Sequence, residues 1–145
     1  MYKTMKNKII LVTTIALAFF TASCGTSQNN TPETAIASTE VIVTVDAKTF
    51  SELTKSQPGT IVDVRTPEEW AEGTLKDAAK MNYHDDNFAQ QIEKLDKNTP
   101  IYVYCKSGGR SAGAADVLKE NGFTKVYNLD GGITSWQENG FEVVK

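Results

Sequence analysis

The chain has 145 residues, of which 15 are basic and 18 acidic, giving a formal net charge of −3 at neutral pH. That length supports one ordinary core and little more. The acidic balance leaves no electrostatic footprint for a nucleic-acid partner, and one histidine with two cysteines makes no metal-ligand cluster.

Lys3, Lys6 and Lys8 precede an apolar run from Ile9 to Phe20 that is too short to span a bilayer comfortably. Thr21-Ala22-Ser23 and then Cys24-Gly25 follow, and the whole resembles a bacterial lipoprotein signal, with Thr21 where the usual leucine stands. On this reading residues 1–23 are a signal peptide and Cys24 becomes the lipid-bearing amino terminus. An ordinary secretory signal cut nearby and an uncleaved anchor are the competing readings. All three place the remainder outside the cytoplasm, and the lipoprotein reading holds it in the bacterial cell envelope, anchored to a membrane through lipid and facing the periplasm. Removing residues 1–23 takes away three lysines and no acid, so 12 basic residues face 18 acidic ones and the charge moves to −6. Residues 24–39 are polar and without period, as expected of a flexible tether. Residues 40–145 form the expected single domain.

Within it, Val41 to Val45 reads as a first strand, and Asp46 caps a helix from Ala47 to about Lys55 that turns Phe50 and Leu53 inward. After the Pro58-Gly59 break, Thr60 to Arg65 reads as a buried strand with polar residues near its exit. Thr66-Pro67-Glu68-Glu69 is a helix start, with a capping threonine, proline at the first position and glutamate three residues after the cap. Trp70 is expected to pack inward before Gly73 ends the turn. A helix beginning at Asp86 places Phe88, Ile92 and Leu95 on one face. Ile101 to Tyr104 is a buried strand, Gly109 to Asn121 a helix stopped by Gly122, and Lys125 to Leu129 a last strand. Asp130-Gly131-Gly132 then leads into a short helix that carries Trp136 and closes at Asn139-Gly140. Strands alternating with helices predict an α/β fold with a parallel sheet covered on both faces. Ligands of such sheets sit off the carboxyl ends of the strands, where Arg65 and Cys105 both emerge.

Cys105-Lys106-Ser107-Gly108-Gly109-Arg110-Ser111 is the segment richest in chemistry. The cysteine ends an apolar strand and meets a glycine-rich turn into a helix. There the free N–H groups of the first helical turn and the positive end of its dipole favour thiolate over thiol. Two consecutive glycines let those N–H groups converge as an anion nest, and Lys106 and Arg110 add positive charge. A free thiol titrates near pH 8.5 and such surroundings lower it to roughly 3.5–7.5, so Cys105 is expected to be ionised without help from a base. Arg110 has the alternative role of an ion pair with a carboxylate across the sheet, and Lys106 that of a solvated surface lysine. His84, the one histidine, lies in a polar loop and reads as a surface residue, while Glu68-Glu69 and Asp85-Asp86 read as cap and surface acids. With Cys24 lipidated, Cys105 is the only thiol, so no internal disulfide forms and single-thiol group transfer fits better than dithiol redox chemistry.

From about Val41 to Val144 the chain resembles the rhodanese (thiosulfate sulfurtransferase-like) family. The likeness rests on Asp63-Val64-Arg65 with Glu69-Trp70 and Gly73, on Ala78 to Asn82, on the loop Cys105-x-x-Gly108-x-Arg110-Ser111, and on Gly131-Gly132-Ile133 with Trp136. Thr74 departs from it, standing where the family usually has histidine. The resemblance implies about five mainly parallel strands between helices and no cofactor. It implies that Cys105 takes a sulfane sulfur from a small anionic donor such as thiosulfate, holds it as a persulfide, and passes it to a thiol or cyanide. A protein of a sulfur relay, or one that keeps the thiol reduced, is a further partner, and the domain is expected to act as a monomer. By the same carry-over the backbone of Lys106, Ser107, Gly108, Gly109 and Arg110 cradles the persulfide, with Arg110 and Arg65 lining or bracing the pocket. Asp63 and Ser111 are supports.

Two other functions compete. A persulfide carrier or binding module would keep the fold without fast turnover. A phosphatase or arsenate reductase would use a longer loop, with five residues between cysteine and arginine. Here four intervene, giving a ring of donors sized for one sulfur rather than a phosphoryl group.

Overall fold

The computed structural model describes residues 40–145, so the signal-peptide, Cys24 and tether expectations lie outside the described residues. The elements in chain order are β1 (Ile42–Val45), α1 (Ala47–Ser56), β2 (Thr60–Asp63), α2 (Pro67–Ala71), β3 (Ala79–Lys80), α3 (Phe88–Ile92), β4 (Ile101–Tyr104), α4 (Gly109–Glu120), β5 (Val126–Leu129) and α5 (Gly132–Glu138). Five strands form one sheet in the order β1-β5-β4-β2-β3, every pairing parallel. All five carboxyl ends therefore lie along one edge, and the segments leaving β2, β4 and β5 meet there.

The central strand β4 is buried at every position, and its alternation divides the core. Ile101, Val103 and Cys105 face Phe88 and Ile92 of α3 and Ala114, Ala115 and Leu118 of α4. Tyr102 and Tyr104 face Ala47 and Phe50 of α1 and Ile133 of α5. The two tyrosines remain soluble in this core because their hydroxyls are bonded. Tyr102 donates to the carbonyl of Gln57 over 2.7 Å, and Tyr104 to Asp63 over 2.6 Å.

The structure departs from expectation at several points. β2 ends at Asp63 rather than Arg65 because the Asp63 carboxylate turns back onto the Arg65 backbone N–H at 3.0 Å. Leu95 lies beyond α3, although its side chain still packs on the core. The strand Ala79–Lys80 is too short to carry a period, so no alternation marks it. No residue of α2 is buried, so Trp70 is half-buried rather than turned fully inward. Thr74 is buried and forms a two-way backbone bridge with Val144, each N–H donating to the other's carbonyl over 2.8 Å. The residue at this position thus serves to tie the chain's last strand-like segment to the Gly73–Leu75 loop.

Candidate active site

β4 delivers Cys105 to the carboxyl edge, 1% exposed. Gly108 then takes φ +100°, a left-handed conformation that lets its own N–H turn back to the sulfur, donating to Cys105 Sγ over 3.1 Å. The Ser111 hydroxyl, one turn into α4, lies 3.5 Å from the same sulfur and 3.0 Å from the Gly108 carbonyl. Burial works against ionisation of this thiol. The Ser111 hydroxyl and the backbone N–H groups of Ser111, Ser107 and Gly108 outweigh it and hold the thiol below its ordinary range.

Of the two glycines only Gly108 uses its conformational freedom. Gly109 is the first residue of α4, without positive φ, and a methyl group there would enter open space. The second constraint on the loop comes instead from α5. Ile133 N–H donates to the Cys105 carbonyl over 2.8 Å, and Thr134 donates to the Lys106 carbonyl through its N–H at 3.2 Å and its Oγ1 at 2.9 Å. These bonds turn the loop's carbonyls away from the sulfur and leave its N–H groups facing it. Gly132 makes the approach possible, with φ +60° and the Lys106 carbonyl carbon 2.6 Å from where a Cβ would stand. The sequence marks Gly131-Gly132 as a helix start but not as the clamp on the cysteine loop.

The two arginines are each neutralised in place. Arg110 donates from Nη1 and Nη2 to the two carboxylate oxygens of Glu69, at 2.6 and 2.8 Å. This is the cross-element ion pair, and it makes Glu69 more than a cap. The carboxylate also accepts from the Thr66 N–H at 3.1 Å, and the hydrogen bond from Arg110 holds its pKa down at about 2 despite partial burial. Arg110 in turn lies near enough to Cys105 for the sulfur to help keep the guanidinium charged, after the bond to Glu69 and against burial.

Arg65 is 2% exposed and donates from Nε and Nη2 to Asp63, the shorter bond 2.7 Å, and from Nη2 to the Gly73 carbonyl at 2.6 Å. Asp63 also accepts from Tyr104, whose hydroxyl receives the Leu75 N–H at 3.0 Å. The Asp63-x-Arg65 motif therefore staples the Gly73–Leu75 loop beside the site. Tyr104, the other end of that staple, carries no signal in sequence beyond its burial. Arg65 and Lys106 share a cavity of about 80 Å³ with Glu72 and Thr134, next to the loop. Lys106 and Ser107 are exposed. His84 is exposed as well, its ring edge-on to Tyr83 at 5.7 Å, in the loop where the sequence places it. A larger cleft of about 670 Å³, between α1 and the segment after α5, is lined by none of the loop residues.

The family profile described as Rhodanese-like domain matches residues 46–139, which holds every side chain just described. The chain belongs to the rhodanese-like family. Among curated rhodanese-like relatives, a protein named sulfurtransferase from Allochromatium vinosum is 33% identical over 101 residues, covering 69% of this chain and 92% of its own. Thiosulfate sulfurtransferase GlpE of Shewanella oneidensis is 36% identical over 87 residues, 60% of this chain and 84% of its own. Among solved structures, a rhodanese-related protein from Thermoplasma volcanium superposes with a TM-score of 0.62 at 30% identity, covering 70% of this chain and 96% of its own. A rhodanese-like domain protein from Staphylococcus aureus gives 0.59 at 32% identity, covering 70% and 97%. The rhodanese-like fold, a parallel five-stranded sheet between helices, and a transferase-type role in this family follow from these likenesses together.

Proposed function

We propose that this rhodanese-like domain is a sulfurtransferase in which Cys105 takes the terminal sulfur of a sulfane donor, carries it as a persulfide and yields it to a thiophilic acceptor. The observation that carries this reading is the buried Cys105 sulfur met by the Gly108 N–H at 3.1 Å and the Ser111 hydroxyl at 3.5 Å, donors that with the neighbouring loop N–H groups favour the thiolate. Sulfur transfer needs an ionised nucleophile and an anionic leaving group, and no general base has to be found. The thiolate attacks the outer sulfur, the donor's S–S bond breaks and its electron pair leaves with the donor fragment. The ring that stabilises the thiolate is placed to stabilise the persulfide anion next. Because the thiol is 1% exposed, a donor must present a projecting terminal sulfur.

The named activity of the GlpE relative makes thiosulfate the first donor to test. A slow persulfide carrier that works with a partner protein is a variant of the same chemistry. The amino-terminal sequence adds the proposal that Cys24 is lipidated and holds the domain at the bacterial cell envelope. Among the described residues no helix is long and apolar enough to cross a membrane.

The test is intact mass before and after thiosulfate and other sulfane donors, with thiocyanate release on adding cyanide. The reading requires a gain of one sulfur atom on the protein and none on Cys105→Ser. If neither protein gains sulfur from any donor, the binding-module reading replaces it.

A further inference from the structure

The charges around Cys105 point to a class of donor. Thiosulfate carries two negative charges, and an enzyme suited to it would offer uncompensated cations. Here each of the two guanidinium groups at the loop is met by its own carboxylate through two of its nitrogens. Glu69 takes Nη1 and Nη2 of Arg110, and Asp63 takes Nε and Nη2 of Arg65. Lys106 makes no ion pair among the described residues, but Glu72 lines the same small cavity. With the thiolate itself negative, these groups sum to about one excess negative charge. The surrounding domain adds to it, since residues 40–145 hold 12 basic and 17 acidic side chains.

Resting on the sulfurtransferase reading, we infer that the preferred donor is an organic persulfide carrying little or no charge beyond its sulfur, and that Glu69 is the residue that disfavours dianionic donors. For a donor RSSH the step balances simply. Cys105–S⁻ bonds the terminal sulfur, the RS–SH bond breaks, and RS⁻ leaves with the electron pair, giving Cys105–S–SH with no change in total charge or electron count. A dianion must instead approach a site that repels it. Repulsion of this kind is screened by salt, with a Debye length of about 30 Å at 0.01 M and about 3 Å at 1 M ionic strength.

Two persulfides share the reacting group and differ in charge, those of 2-mercaptoethanol, with no charged substituent, and of mercaptosuccinate, with two carboxylates, and the salt dependence of their rates separates charge from the difference in leaving-group basicity and bulk. The rate of sulfur loading on Cys105, read by intact mass, should be about tenfold or more higher for the uncharged donor at low salt, within the range electrostatic steering produces. The gap should close as salt rises. Glu69→Gln frees Arg110 while its side-chain carbonyl still accepts from Thr66. It should raise loading from mercaptosuccinate persulfide and thiosulfate several-fold relative to the uncharged donor, a shift in ratio that a merely structural role would not give. Equal rates, or a faster dianion, in the wild-type protein would overturn the donor-class inference while leaving sulfur transfer intact. Failure of every donor to load Cys105 would overturn the sulfurtransferase reading and this inference with it.

Discussion

Ile133 donates its backbone N–H to the carbonyl of Cys105 over 2.8 Å, so the amino end of one helix holds the residue on which the amino end of another focuses its donors. One set of N–H groups anchors the loop's carbonyls and the other faces its sulfur. The peptide planes of a short loop cannot present both groups to the same side, so fixing the carbonyls outward fixes the donors inward.

Gly132→Ala tests that clamp. An alanine at φ +60° costs about 1–2 kcal/mol, and its Cβ would collide with the Cys105 and Lys106 carbonyls. Urea unfolding should show a loss of about 3 kcal/mol or more. Gly109→Ala, which meets open space in a helical conformation, should stay within about 1 kcal/mol of wild type. Equal losses for the two variants would contradict the division of labour between these glycines.

Ser111→Ala tests the donor ring. The depressed thiol makes the nucleophile available above its folded pKa and removes it as pH falls through that value. Losing the hydroxyl favours the neutral thiol, so the midpoint of the pH dependence of iodoacetamide alkylation at Cys105 moves upward. The shift should not exceed about one unit, because the single hydroxyl proton is shared with the Gly108 carbonyl. A midpoint that stays put would leave the backbone donors as the whole cause.

Tyr104→Phe tests the staple beneath the site. It leaves the Leu75 N–H without its partner inside the core, while the Asp63 oxygen that loses the tyrosine is still bonded by Arg65. An unsatisfied buried group costs about 1–3 kcal/mol, so the melting temperature should fall clearly while the thiol's alkylation midpoint changes little.

Acid titration tests the Glu69–Arg110 pair. Glu69 has a folded pKa of about 2 against an ordinary 4.5, so its contribution to stability is complete above pH 4.5 and is lost as pH falls toward 2. The stability difference between wild type and Glu69→Gln should therefore shrink over that interval and be flat above it. A difference that persists unchanged at pH 2 would show that something other than the carboxylate's charge separates the two proteins.

What the amino-acid sequence by itself determined is local. Asp46 as a cap, the Thr66-Pro67 helix start, the all-apolar β4 and the glycine at the turn after Cys105 are each decided by a few adjacent residues, and so were legible. Parallel strands joined by helices then put Arg65 and Cys105 at one edge. Only the tertiary structure decided what the charges near Cys105 do. Glu69 meets Arg110 across 41 positions, Tyr104 meets Asp63 across another 41, and Thr134 reaches back 28 positions to Lys106. No periodicity encodes contacts at such separations, because each depends on how two elements dock rather than on how either one forms. That is why a cysteine loop could be recognised from its letters, while the cancellation of its two arginines could be seen only once the sheet had brought their carboxylates to them.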